Sequence, residues 1–190
     1  MQLKLLLVDF DGTLADTRRA NARAYVAALK EVGYQLTEEE YLKRHFGVRC
    51  PDFLRSIGFS NPEEIDRIRR RKIALYPSFF ESVKLNEGLW AFCQHFRRQG
   101  GKVWIVSTGQ ADNLRNAMCY LKLENKVDGI LSAADVEHHK PHPDAFLKAM
   151  QIEGCLPEET MIFEDSPVGI EAARRSGAAY MVVNFDNELQ

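Results

Sequence analysis

Two aspartates stand two residues apart directly after an aliphatic run, in Leu5-Leu6-Leu7-Val8-Asp9-Phe10-Asp11-Gly12-Thr13. On an extended segment side chains at that spacing point the same way, so both carboxylates can face one ligand. Gly12 permits a tight turn immediately afterwards. Such a pair suits phosphoryl transfer. One carboxylate attacks phosphorus while the other passes a proton to the leaving group and later takes one from water. Taken alone, the pair reads equally well as a solvated turn after a strand.

Three later segments change the weighting. Ser107-Thr108-Gly109 follows an aliphatic run and offers hydroxyls and backbone N–H groups to an anion. Lys140-Pro141 offers a compact positive charge. Glu164-Asp165-Ser166 follows another aliphatic run and opens a helix. Singly they read as a turn serine, a surface lysine and a helix N-cap. Together they would bring Asp9, Asp11, Glu164 and Asp165 to the place where a dianionic phosphate must bind. Like charges about 4 Å apart repel by about 4 kcal/mol at an effective dielectric of about 20, more than one lysine offsets. A hard cation with oxygen ligands answers this, and Mg²⁺ is the usual choice.

The elements that must position these groups are short. Strands are expected at 3–8, 102–106, 127–131, 160–163 and 180–183, with helices at 89–99, 110–122, 143–153 and 167–176 between the later ones. Glycines at 100, 101, 154 and 177 suit helix ends. Strands alternating with helices imply an α/β fold, a three-layer Rossmann-like parallel sheet with ligands bound beyond the C-terminal strand ends. Residues 17–84 break that rhythm and read as helices only, at 17–32, 37–46, 51–57 and 62–80. The expected organisation is a core of residues 1–16 and 85–190 with an inserted all-helical cap at 17–84. Charge follows the same division, with a balance of +5 over 17–84 and −7 over the rest.

Net charge is −2, with no global basic field to attract nucleic acid. The run Arg67, Arg69, Arg70, Arg71 and Lys72 spreads around a helix without interleaved aromatics for base stacking. The opening aliphatic run ends at Asp9, too short for a signal peptide or membrane span. Cys50, Cys93, Cys119 and Cys155 have no zinc or disulfide spacing, so free thiols in the cytoplasm are expected. His138, His139 and His142 look like a zinc cluster, but a loop flanking Lys140 is the preferred reading.

The four segments, taken in order, resemble the four motifs of the haloacid dehalogenase superfamily, and the resemblance covers essentially the whole chain. The helical block looks like the cap of the branch holding β-phosphoglucomutase, sugar phosphatases and phosphoglycolate phosphatase. The resemblance implies that Asp9 is the nucleophile and a Mg²⁺ ligand. Asp11 would be the general acid/base and would give its backbone carbonyl to Mg²⁺, with Asp165 as the third protein ligand. Glu164 would hold metal-bound water, while Ser107, Thr108 and Lys140 would bind the phosphoryl group. Strand one would lie between strands two and four. The chain stops soon after its fifth strand, which leaves open a core without the family's last elements.

Asp11 argues against carbon–halogen cleavage, because dehalogenases of this family lack the second aspartate. No lysine lies between Arg44 and Arg71, which disfavours the Schiff-base route of similar phosphonate hydrolases. The rival is a mutase: Gly47-Val48-Arg49 resembles the mutase loop whose arginine holds a second phosphate. Against it stand Gly109-Gln110-Ala111, in place of a more polar and basic stretch, and Asn21, in place of a cap histidine. The expectation is a phosphatase acting on a small phosphorylated metabolite through an aspartyl-phosphate on Asp9. The mutase and a non-catalytic binding protein are the alternatives. Substrate identity and oligomeric state are not legible.

Substrate candidates in the cap are Asn21, Arg49 and Lys72. Lys72 falls in line with Ile65, Ile68, Leu75 and Phe79, so it either faces a substrate anion or lays its stem on apolar surface with its head in water. Asn21 aligns with Tyr25, Ala28 and Val32, and either touches substrate or fixes the helix entry.

Overall fold

The computed structural model describes residues 2–185. Its elements follow in chain order as β1 (Leu5–Val8), β2 (Ala15–Asp16), α1 (Arg18–Lys30), α2 (Glu38–Arg44), α3 (Cys50–Ser56), α4 (Pro62–Leu75), β3 (Lys84–Leu85), α5 (Glu87–Arg98), β4 (Lys102–Val106), α6 (Ala111–Tyr120), β5 (Gly129–Leu131), α7 (Asp144–Glu153), β6 (Thr160–Glu164), α8 (Pro167–Ser176) and β7 (Ala179–Val182). The chain divides into two compact units, Met1–Asp16 with Lys84–Gln190, and Thr17–Val83. Lys84, assigned from sequence to the helical block, pairs with Asp16 and belongs to the first unit.

In the first unit β1 sits at the centre of a five-stranded sheet of order β5-β4-β1-β6-β7. Every pairing in it is parallel. All four residues of β1 are fully buried, as a strand covered on both faces requires. Side chains alternate between faces. Leu5, Leu7, Trp104, Val106 and Ile162 pack with Phe146, Ala149 and Met150 of α7 and with Ala172 and Ala173 of α8. Phe163, one residue on from Ile162, meets Phe92 of α5 edge to face at 5.9 Å. Helices therefore cover both faces. In register, Val8 pairs with Ile105 and Phe163, so Asp9, Ser107 and Glu164 emerge at one end of the sheet.

The second unit is helical. Thr37 Oγ1 accepts from Glu40 N (3.1 Å) to cap α2, and Asn61 Oδ1 accepts from Glu63 N (2.8 Å) before Pro62 starts α4. Its core gathers Tyr25, Tyr41 and Phe53, with ring centroids 5.0–5.4 Å apart. The expected helix over 62–80 stops at Leu75 and tightens into a 3₁₀ turn at Tyr76–Ser82. Pro77 explains this, since it supplies no backbone N–H and clashes with the preceding turn. The β2–β3 ribbon has two residues per strand, too few for a sequence period. No helix among the described residues is long and apolar enough to cross a membrane.

Candidate active site

The loop after β1 turns back at once. Gly12 N donates to Ala15 O (2.8 Å), Leu14 N to Asp9 O (3.2 Å) and Ala15 N to Phe10 O (2.9 Å). Gly12 has φ +97, and a Cβ there would overlap the Asp165 carboxylate. The turn and the start of α8 thus approach as closely as a glycine allows.

Lys140 is only 3% exposed at its side chain, and its Nζ donates to Asp9 Oδ1 (2.6 Å), Glu164 Oε1 (2.5 Å) and the carbonyl of Val106 (3.0 Å). It also lies over the Phe146 ring at 5.1 Å. An ammonium has three donors, and all three are engaged. Glu164 is equally committed, since its other oxygen accepts from Asp165 N, Ser166 N and Ser166 Oγ at 3.0–3.1 Å. Gly169, one turn into α8, leaves room for this carboxylate, which a Cβ would overlap.

Ser107 is held against β5 by its N–H, which donates to Leu131 O (2.9 Å). Its hydroxyl accepts from Gly109 N (2.9 Å) and reaches Asp11 Oδ2 at 3.4 Å. Asp11 is half-buried and Thr108 exposed. The structure thus brings Asp9, Asp11, Ser107, Lys140, Glu164 and Asp165 to one edge of one sheet.

Carboxylate oxygens of Asp9, Glu164 and Asp165 lie within 4.8 Å of one another. Burial pushes the Asp9 carboxyl well above the usual carboxylate range. Lys140 opposes this, while Glu164 and Asp165 add to it. Burial raises Asp165 to about 6, against the pull of a hydrogen bond from Thr13 and with the Glu164 charge adding to the rise. Burial works against the Lys140 ammonium, but Asp9 and Glu164 more than offset it and hold the group charged. Crowded, partly buried oxygen donors of this kind fit a hard divalent cation, whose charge would relieve their repulsion. His138, His139 and His142 are not in this group. His138 Nδ1 pairs with Asp144 Oδ2 (2.9 Å) and its ring lies 5.1 Å from that of His142.

In the helical unit Lys72 corrects one expectation. Its head does not reach water: the residue is 3% exposed, and Nζ donates to Asn21 Oδ1 (2.7 Å) and lies 4.2 Å from the Tyr76 ring centre. Asn21 Nδ2 donates to the carbonyl and hydroxyl oxygens of Thr17 (3.2 Å each), so Asn21 links the entry of α1 to Lys72. Arg49 is exposed at the start of α3. The basic run is answered by its own acids. Arg67 pairs with Glu64, Arg69 and Arg70 with Asp66, and Arg71 with Glu31.

Sequence reasoning left three contributors unassigned: Thr13, Phe146 and Gly169. Thr13 lies inside the Asp9–Thr13 segment itself. The other two carry no signal of their own, because a phenylalanine and a glycine on helices read as packing.

A model of the haloacid dehalogenase-like hydrolases matches residues 6–183. The pyrophosphatase PpaX of Bacillus cereus is 27% identical over 97% of this chain and 85% of its own length. Among solved structures, CbbY of Rhodobacter sphaeroides, crystallised with phosphate, superposes with a TM-score of 0.85 at 24% identity, over 96% of this chain and 87% of that one. A β-phosphoglucomutase of Clostridium difficile gives a TM-score of 0.81 at 22% identity, over 100% and 94%. The family model and the PpaX relative support a hydrolase with a phosphatase role, and the two solved structures share the fold. The match across nearly the whole chain, on a sheet whose central strand leads directly into Asp9, places this protein in the haloacid dehalogenase-like hydrolase family.

Proposed function

We propose that this protein is a Mg²⁺-dependent phosphatase that hydrolyses a small phosphorylated metabolite through an aspartyl-phosphate on Asp9. The observation that carries the reading is the convergence of Asp9, Lys140 and the Glu164-Asp165 pair, from three separate segments, within hydrogen-bonding and ion-coordinating reach. The relative named a pyrophosphatase, and the phosphate-bound CbbY, support phosphorylated small molecules as substrates. The free cysteines accord with a cytoplasmic setting.

Asp9 attacks phosphorus, and its aspartyl-phosphate is then hydrolysed. Lys140 fixes the Asp9 carboxylate and compensates charge that builds up during transfer. Asp11, half-buried beside Ser107, protonates the leaving oxygen and then takes a proton from the attacking water. Ser107 and Thr108 offer hydroxyls to the phosphoryl oxygens. Asp9, Asp165 and the Asp11 carbonyl would hold the cation, which supplies charge neutralisation and a template for the phosphate when bound. Glu164 anchors Lys140 and the start of α8, and by the family resemblance it would also help hold water at the cation.

Thr17–Val83 acts in this reading as the cap that confers specificity, with the exposed Arg49 as its substrate candidate and the Asn21–Lys72 pair, buried at Lys72, holding the entry of α1. Hydrolysis is preferred to a mutase because Gly109 presents no side chain next to Asp11 and Ser107. The test is phosphate release from a panel of phosphorylated metabolites with Mg²⁺ and with EDTA. Release that EDTA abolishes is expected. No release from any substrate would leave a binding protein instead, and bisphosphate-primed isomerisation would favour the mutase.

A further inference from the structure

We infer that Thr13 is a positioning residue for Asp165, holding that carboxylate in the orientation a cation needs, an inference that rests on reading Asp165 as a cation ligand. Thr13 is fully buried, and its Oγ1 donates to Asp165 Oδ1 (3.0 Å) across 152 residues of sequence. A buried threonine hydroxyl usually turns to a nearby backbone carbonyl. Here it turns to a carboxylate on a different element.

Thr13 is itself held. Asn86 Nδ2 donates to the Thr13 carbonyl (3.4 Å), Asn86 N donates to Leu14 O (2.8 Å), and Asn86 Oδ1 accepts from Leu89 N (3.1 Å) to cap α5. Asp165 also packs against Gly12, whose missing Cβ leaves room for the carboxylate there. Two consecutive residues of one turn therefore act on one carboxyl group. Gly12 sets how close it comes and Thr13 sets its plane.

A carboxylate whose plane is fixed in advance spares the site the entropy of aligning it when the cation arrives. This positioning does not require Thr13 to touch substrate. A valine at this position would fill the same volume with the same β-branching and would lack only the donor.

The experiment measures Mg²⁺ affinity calorimetrically for the wild type, Thr13→Val and Thr13→Ser, with each protein's melting point read with and without Mg²⁺ against its own metal-free state. Thr13→Val is expected to weaken Mg²⁺ about 10-fold or more, while Thr13→Ser, which keeps the hydroxyl, stays within about twofold. In an Asp165→Asn background, Thr13→Val should add less than about a twofold further loss. Excess Mg²⁺ should restore turnover in Thr13→Val. Mg²⁺ binding by Thr13→Val within about twofold of wild type would overturn the inference and leave the proposed function standing. A Thr13→Val defect in Mg²⁺ binding, in a protein whose wild type releases phosphate from no substrate, would overturn the function and leave the inference standing.

Discussion

Lys140 Nζ lies 2.6 Å from Asp9 Oδ1 across 131 residues of sequence, and the same ammonium holds Glu164 at 2.5 Å. One buried cation thus joins the end of β1 to the end of β6, and the properties of the site follow from how that charge is shared.

Asp9→Asn keeps the size and one acceptor oxygen but removes the nucleophile. Phosphate release should fall by about 10³-fold or more, with an unchanged far-ultraviolet circular dichroism spectrum. Full turnover in this variant would rule out the aspartyl-phosphate.

Lys140→Ala leaves the Asp9 and Glu164 carboxylates buried without their counter-charge. Breaking a buried pair in this way costs about 3–5 kcal/mol. A melting point lower by roughly 6–20 °C in the metal-free protein is expected, since each kcal/mol moves a chain of this size by about 2–4 °C. Mg²⁺ should recover part of the loss.

Asp165 ties stability to pH. Its folded-state pKa of about 6 lies above the ordinary carboxylate value, so ionisation opposes folding in the metal-free protein. The favourable contribution is fully present below about pH 4 and is lost as pH rises through about 6. Discounted for partial exposure, it amounts to about 1 kcal/mol. Metal-free Asp165→Asn should lack this component, so its melting point relative to wild type should be about 2–4 °C lower at pH 4 than at pH 7. Identical pH profiles for the two proteins would contradict the assignment.

Gly169→Ala separates packing from helix propensity. In an exposed helix interior alanine would stabilise by about 1 kcal/mol. Here the new methyl falls on the Glu164 carboxylate, which is fully buried and hydrogen-bonded on both oxygens. A lower melting point and a turnover loss of about 10-fold are expected, because Glu164 must move and Lys140 with it. A gain in stability would show that the carboxylate has room to spare.

Asn21→Ala deprives the buried Lys72 ammonium of its 2.7 Å acceptor. A cost of about 1–3 kcal/mol is expected, read by urea denaturation. Lys72→Met in the same background should be non-additive by about 1 kcal/mol, since the two side chains share one interaction.

The alternation of aliphatic runs with helical stretches was enough to define the parallel α/β core, because a strand buried on both faces has no polar positions to disguise it. The acid pairs, the serine and the lysine were legible for a related reason. The acids and the serine sit where strands end, and strand ends of one parallel sheet share one edge, while Lys140 lies in the loop between β5 and α7. The same reading could not see where α4 yields to a 3₁₀ turn or that Lys84 pairs with Asp16, since two-residue strands carry no period.

What sequence determined here is which groups carry charge and which segments are extended or helical, properties set by neighbours along the chain. The tertiary structure alone decided which of those charges meet. Lys140 spends its three donors on Asp9, Glu164 and Val106, Lys72 turns inward to Asn21, and Thr13 finds Asp165. Those choices depend on distances between residues 34 to 152 positions apart in four of the five cases, and on the room left by a missing Cβ at Gly12 and Gly169, which no local pattern encodes.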